Sequence, residues 1–383
     1  GYGNPNSLIA FRAVTRNAEE KTPLSQGGFD RALASAWELR RSLGYDKFSS
    51  RLCYGEADSL PGLIVDRYVL GTAQQVQGEY LVVQAHTAGM DCRLDLITQA
   101  LQKLFPLAGI IIRNDVSVRE KEGLTQQDPR VLRTAEGYAN VEVLKKAPLR
   151  LKNKFTSHST HNALIMHADL LEGQKTGFFL DQAKNIELMS SLALEYFSNS
   201  KKSQPLKILD LCCYIGQWGV QLGVALKTRG FDVQVTFFDA SAQALEQAAH
   251  NASTYELGCK TIKGDVLTDL EKLPEHGFDI VISDPPALIK NRKSIPQGQH
   301  AYLQLNTQAI RLTRPSGLIA SCSCSSLLDQ IEFEKILAKA ARRNHATVQW
   351  LSSGGHSPDH PVLLEFPEGH YLKAWMGISS QNA

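Results

Sequence analysis

From Lys207 to Ser326 the chain alternates between short apolar runs and longer periodic stretches. Ile208-Leu209-Asp210-Leu211 is an apolar run that carries an acid, followed by a turn at Gly216 and a stretch rich in Val, Leu and Ala. Val233 to Phe238 ends at Asp239, and Thr261 to Lys263 leads into Gly264-Asp265. Phe278 to Ser283 ends in Asp284-Pro285-Pro286, and Gly317 to Cys322 ends in Ser323-Cys324-Ser325. Short apolar runs separated by helical patterns predict repeated βα units and a parallel sheet. In an open sheet of that kind, ligands bind outside the carboxyl ends of the strands. Four acids and one cysteine are therefore expected along one edge of one crevice.

Upstream the pattern changes. Phe29, Leu33, Ala36, Trp37, Leu39 and Leu43 recur near a 3.6 period and predict a helix over 27–43, with Arg31, Arg40 and Arg41 on or beside its solvated face. Segments 50–54, 63–66 and 78–85 read as strands, 94–105 as a helix and 109–113 as a buried strand, which together suggest a small α+β domain with hairpins. Ser7 to Val14 alternates loosely like a strand. His300 to Arg311 predicts a further helix, stopped by Pro315 and Gly317. The polar segment 156–162 reads as a loop or linker. Its two histidines have no acid or cysteine at ligand spacing, so no metal is expected there.

At 383 residues the chain is long enough for two or three domains. Lys and Arg number 41 against 39 Asp and Glu, a net charge of +2, which argues against a nucleic-acid coat protein but permits a local basic patch. Three groups of cations qualify: Arg113, Arg119 and Lys121; Lys145, Lys146, Arg150, Lys152 and Lys154, with Phe155 beside them; and Lys290, Arg292 and Lys293 just after Asp284-Pro285-Pro286. Arg113, Arg119, Lys152, Lys154, Lys290, Arg292 and Lys293 are the candidates for RNA contact, with domain docking equally open for the Arg113 group and plain solvation as the blander reading. No apolar run approaches the roughly 18 residues of a membrane span, and no secretory signal opens the chain. Seven cysteines occur without C-x-x-C spacing, so reduced thiols in a cytoplasmic protein are expected.

The strand-end acids suggest a ligand. Asp239 follows Asp210 by 239 − 210 = 29 positions and suits a ribose diol, because a carboxylate accepts from both hydroxyls. NAD is the first alternative, but its G-x-G-x-x-G turn is absent; the turn here has Gly216 and Gly219 only. A nucleoside without phosphates fits better, and S-adenosylmethionine (SAM) is such a ligand. In that reading Asp239 takes the ribose, Asp265 the adenine amino group, and Asp210 with the Gly216 turn the methionine end. Helix capping is the bland alternative for each Asp taken singly.

At these residues the chain resembles the class I SAM-dependent RNA methyltransferases. More narrowly, it is similar to the bacterial family that makes 5-methylcytosine in large-subunit ribosomal RNA with one catalytic cysteine. Gly55 to Arg67 looks like that family's G-E-x-D-x-L-P-G-x-x-x-D-R, Arg113 to Gly123 like its R-x-D-x-x-x-R-x-x-E-G, and Lys175 to Gln182 like its K-T-G-x-x-L-D-Q. Asp359-His360-Pro361 and Pro367 to Lys373 match its closing segment. The resemblance covers nearly the whole chain. It departs at Ala183 and Ile186, where the family has arginines, and at Gln217 in the first loop. It implies a Rossmann-like α/β methyltransferase domain over 166–383 with a mainly parallel seven-stranded sheet. It further implies an α+β accessory domain over 23–165 and, over 1–22, the remnant of a PUA-like barrel. It extends the cofactor set to Phe179, Asp181, Gln182, Cys212, Tyr214, Ala240, Val266, Asp284 and Pro285. Ribosomal RNA is the implied partner, with room for a homodimer and no membrane.

The chemistry implied needs a thiolate that adds to cytosine C6 and so makes C5 nucleophilic. Cys324 matches the family's catalytic cysteine, and Asp284 is the candidate for orienting the base and protonating N3. Two-cysteine RNA methyltransferases carry a second thiol where this chain has Ala287, so the base that removes the C5 proton is not identified. A buried structural thiol is the bland reading for Cys324. Tyr214, Trp218 and Phe179 are aromatic stacking candidates for a flipped base, with core packing the alternative for Trp218. Rival readings are a methyltransferase for a purine nitrogen, which needs no thiol, a non-catalytic RNA- or SAM-binding protein, and a small-molecule methyltransferase.

Overall fold

The computed structural model describes residues 1–15, 17, 19–136, 140–155, 163–198 and 204–381. The polar segment 156–162 lies outside the described residues. The chain divides into two compact units. The first takes the described residues of Gly1–Asn153, His161–Asp181 and Ser357–Gly369; the second is chiefly Gln182–His356 with His370–Ala383.

The first unit opens with a two-residue ladder, β1 (Tyr2–Gly3) against β2 (Phe11–Arg12). Next come α1 (Gln26–Ser42), β3 (Ser50–Tyr54), β4 (Leu63–Gly71), β5 (Val76–Ala85), α2 (Ala88–Asp91), α3 (Leu94–Leu104), β6 (Gly109–Ile112), β7 (Arg130–Arg133), β8 (Ala147–Leu151) and β9 (Leu164–Ala168). Strand order is β7-β6-β5-β4-β8-β9, with β3 also paired to β4. Only β5–β6 is parallel, so the sheet consists of antiparallel pairings with one parallel crossover. Helix α1 begins where Ser25 accepts a bond from the Gly28 N–H (3.3 Å). Its buried face is Phe29, Leu33, Ala36 and Arg40, which packs with α3 and the sheet through Ile97, Leu101, Val65 and Leu81.

That face corrects the solvated placement of Arg40. Arg40 is fully buried, forks onto both Asp58 oxygens (2.5 and 2.8 Å) and donates to the carbonyls of Arg51 and Asp359 (2.8 Å each). The 3.6 period runs 29, 33, 36, 40, so the arginine inherits a core position. Arg31 and Arg41 are exposed, as read, and pair with Glu20 and Glu38. The boundary after residue 165 is also displaced. It falls inside the β8–β9 hairpin, where Arg150 pairs with Ile165, and the first unit continues to Asp181 before reclaiming 357–369.

The second unit is α4 (Ala183–Phe197), β10 (Leu206–Leu211), α5 (Gln217–Thr228), β11 (Val233–Asp239), α6 (Ala242–Ser253), β12 (Gly258–Lys263), β13 (Phe278–Ser283), α7 (Ile295–Leu312), β14 (Thr313–Ser323), α8 (Gln330–Arg343), β15 (Ala346–Gly354) and β16 (Lys373–Gln381). The sheet order is β12-β11-β10-β13-β14-β16-β15. The first five strands are parallel, and β16 and β15 are antiparallel additions. β13 is buried at every position and β10 at all but Lys207, as central parallel strands covered on both faces must be. Leu209, Leu211, Val281 and Ile319 pack under Leu305 and Ile310 of α7 and Phe333 and Leu337 of α8. This is the Rossmann-like α/β architecture expected.

Candidate active site at the strand ends

The order of the five parallel strands decides what meets at their carboxyl ends. Reading across β12, β11, β10, β13 and β14, the residues in or just after them are Asp265, Asp239, Asp210, Asp284 and Cys324. Each parallel crossover returns the chain to the same edge, so residues far apart in sequence become neighbours.

The turn after β10 is built to expose backbone. Cys212 (φ 57°), Tyr214 (φ 48°) and Gly216 (φ 80°) all lie in the left-handed region. Two non-glycine residues in that region within three positions carry a strain of order 1–3 kcal/mol each, a feature that clusters at binding sites. Successive N–H groups in such a turn point the same way and form an anion- or dipole-binding concavity. At Gly216 a Cβ would also stand 2.9 Å from Phe237. Gly219 packs against Val235 and Phe237 of β11, and its N–H donates to Asp210 Oδ2 of β10 at 2.8 Å.

Asp210 is fully buried, and its Oδ1 has no hydrogen-bond partner. Burial pushes its pKa up to about 8; the Gly219 N–H opposes this, and the charges of Asp284 and Asp239 add to it. A buried carboxyl group with an orphaned oxygen keeps one hydrogen-bonding position open. Beside it Cys212 has its thiol pushed well up, by burial first and then by Asp239, Asp284, Asp210 and Asp265, so all four acids bear on one spot. Asp239 accepts from the N–H of Tyr214 and of Ser241 (2.9 Å each). Asp265 is exposed and accepts from the Leu267 N–H (2.8 Å). Ala240 is exposed and Val266 half-buried next to them.

Asp284 follows β13. Gln182 Nε2 donates to both of its oxygens (2.8 and 2.9 Å), and Trp218 Nε1 donates to Oδ2 (2.9 Å). Trp218 is therefore neither a stacking platform nor mere core: it is buried and spends its one donor on Asp284. Cys324 is half-buried after β14, its thiol 3.8 Å from the Pro285 carbonyl. The Tyr302 hydroxyl meets Ser323 Oγ (3.0 Å) and Ser325 Oγ (2.9 Å) on either side of the cysteine. Lys373 Nζ donates to the carbonyls of Ser325 (2.8 Å) and Leu328 (2.6 Å). Sequence reasoning missed Lys373. The available signal was a single cation inside the apolar run Tyr371-Leu372-Lys373-Ala374-Trp375-Met376.

Phe179 and Asp181 belong to the first unit, where Lys175 Nζ lies over the Phe179 ring (4.2 Å to its centroid) and pairs with Asp181 (2.7 Å). Ile186 is buried on α4 and Gln217 is buried at the start of α5. Of the RNA candidates, two are corrected. Arg113 is buried, forks onto Asp115 and donates to the carbonyls of Leu170 and Gly173. Arg119 is buried against Asp91 and the carbonyls of Ala85 and Thr125. Arg150, in the same cationic run as Lys152, is likewise buried on the carbonyls of Lys47 and Thr72. Lys152 is exposed, bonded to the Leu43 carbonyl (2.6 Å), and Lys154 pairs with Glu187 (2.8 Å). Lys290, Arg292 and Lys293 are all exposed. Among the described residues no group of three potential metal ligands occurs, and no helix is long and apolar enough to cross a membrane.

The sheet order, the strained turn after the first strand of the second unit and the row of strand-end acids define a class I SAM-dependent methyltransferase. The Methyltransferase small domain family matches residues 175–319. The fold is shared with SMU.776, assigned to the methyltransferases and solved with SAH (TM-score 0.68, 17% identity, 92% of this chain and 82% of that one). Ribosomal RNA large subunit methyltransferase I of Aeromonas hydrophila is 32% identical over 97% of this chain and 85% of its own length. Its namesake from Photobacterium profundum is 31% identical over 98% and 85%. The chain belongs to this family of Ribosomal RNA large subunit methyltransferase I proteins, and SAM is its cofactor.

Proposed function

We propose that the protein methylates C5 of a cytosine in 23S ribosomal RNA through a covalent bond from Cys324 to C6. The observation that carries this is the meeting of the Cys324 thiol with the Asp284-Pro285 loop. A purine-nitrogen methyltransferase has no use for a cysteine held there. Bound SAM supplies an electrophilic methyl group on a sulfonium sulfur. Asp210 would hold its ammonium through the orphaned Oδ1, Asp239 its ribose, and Asp265 with Val266 its adenine. Cys212, Tyr214 and Gly216 would line the methionine end, and Ala240 and Pro285 flank the nucleoside. Gln182 completes the proposed set by fixing Asp284.

In the proposed reaction the thiolate adds to C6, forming an S–C6 bond and moving the C5–C6 π electrons onto C5. C5 would then take the methyl group, the methyl–sulfur bond breaking with its electron pair staying on sulfur as a neutral thioether; a base removes the C5 proton, and those electrons re-form the double bond as the thiolate leaves. Because three N–H bonds point at its two oxygens, Asp284 is cast as an acceptor for the cytosine amino group, not as the donor to N3. Lys290, Arg292 and Lys293, on the segment after Pro286, are the proposed phosphate contacts, with Lys152 and Lys154 secondary. Residues 1–22 we read as a PUA-like RNA-binding element, and 23–181 as the accessory region. A reduced, cytoplasmic setting suits a thiol nucleophile.

The test is a denaturing gel of the protein with SAM and ribosomal RNA containing 5-fluorocytidine. Fluorine cannot leave C5 as a cation, so the covalent complex accumulates. We expect a shifted band in the wild type and none in Cys324→Ala. A band in both, or methyl transfer by Cys324→Ala at wild-type rate, would sink the proposal.

A further inference from the structure

We propose that Lys373 is the positioning residue for the Cys324 thiol: its buried ammonium pins the loop that carries the cysteine and supplies the positive charge against which the thiolate forms. This rests on Cys324 being the nucleophile, and deepens that reading.

Lys373 opens β16 directly opposite Ser323, the last residue of β14 and the neighbour of Cys324. Lys373 is only 5% exposed. Two of its three N–H groups are committed to the carbonyls of Ser325 and Leu328, which close the loop just past the cysteine. Burial pushes the Lys373 pKa down to about 8, while the charges of Cys324 and Asp329 pull it back up. Each charge therefore stabilises the other, and a cation beside a thiol is the usual way a protein lowers a cysteine pKa. Tyr302 cannot do this. Burial, and then the Cys324 charge, push its hydroxyl up to about 12, so it stays neutral and orients Ser323 and Ser325 only.

The test follows alkylation of Cys324 by iodoacetamide from pH 6 to 10, resolved from the other cysteines by peptide mass spectrometry. In Lys373→Met we expect the midpoint to rise by about one unit or more and the rate at pH 7 to fall roughly 10-fold. Lys373→Arg, which keeps the charge, should recover most of that loss; a purely structural lysine would not follow charge in this way. An unmoved midpoint in a Lys373→Met protein that melts normally overturns the proposal. If that variant does not fold, NMR titration of the Lys373 ammonium in wild type and in Cys324→Ser decides. The midpoint should fall when the thiol is removed, and an unchanged one overturns the idea. The fluorocytidine trap separates the two layers. A trapped band with an unmoved midpoint removes Lys373 alone. A shifted midpoint with no band removes the reaction, and with it the catalytic meaning of the lysine.

Discussion

Each unit buries one aspartate completely inside a strand, and the two are treated in opposite ways. Asp66 of β4 receives a fork from Arg51 (2.8 Å to each oxygen) and the hydroxyl of Thr176 (2.5 Å). Burial alone would raise its pKa, but Arg51 and these bonds outweigh it and the value falls below the usual range. Asp210 of β10 has one backbone N–H, an orphaned oxygen and a pKa of about 8. The first carboxylate is a finished strut. The second is costly to the empty protein, and the ammonium proposed to sit there would complete it. Burial alone thus does not separate scaffold from site; the state of the partners does.

Breaking the finished strut should have the largest effect. Arg51→Met leaves Asp66 buried and unpaired, so we expect a loss of about 3–5 kcal/mol in urea unfolding. Asp210→Asn should do the reverse. Stability holds or rises, while SAM affinity by calorimetry falls by about 1.5–3 kcal/mol, the worth of a hydrogen bond to a charged group. A third experiment sharpens the contrast between the cations of the two units. Replacing Lys290, Arg292 and Lys293 with Ala should flatten the salt dependence of RNA binding by about two in slope, at roughly 0.7 per contact. Arg119→Ala should lower the melting temperature and leave that slope unchanged.

The smallest effect is a proton count. Asp210 has a folded pKa above its unfolded one, so its cost to stability grows as pH rises from about 4 to about 8. Below pH 8 the free protein holds a proton there that an ammonium ligand displaces. Calorimetry in buffers of different ionisation enthalpy should show up to about one proton released per SAM near pH 7, absent in Asp210→Asn. Asp66 has the opposite sign: its stabilisation is present above the normal carboxylate range and lost as pH falls through its lowered value.

The second unit was legible because its strands are short apolar runs ending in acids, and right-handed crossovers bring those ends together. The roles of cations were not legible. Arg40, Arg113, Arg119 and Arg150 look in sequence like Lys290 and Arg292, but the former are buried on carbonyls and carboxylates. Sign of charge says nothing about burial, and guanidinium groups are the cations that proteins bury most readily. Trp218 read as stacking or core because its indole N–H finds Asp284 only through the fold. The boundary at Asp181 was hidden because the strand at 164–168 reads the same in either unit.

The return of 357–369 to the first unit has a consequence for synthesis. Asp359 lies in that stretch; its carboxylate accepts the Arg51 N–H (2.8 Å) and its carbonyl takes a bond from the buried Arg40. A ribosome releases the chain from its amino-terminal side onward, so by the time Asp359 emerges residues 182–356 of the second unit have already been made. The first unit cannot finish folding vectorially, ahead of the second. Until Asp359 appears, Arg40 and Arg51 stand without those bonds, and the nascent protein has an unfinished first unit for a chaperone to shield.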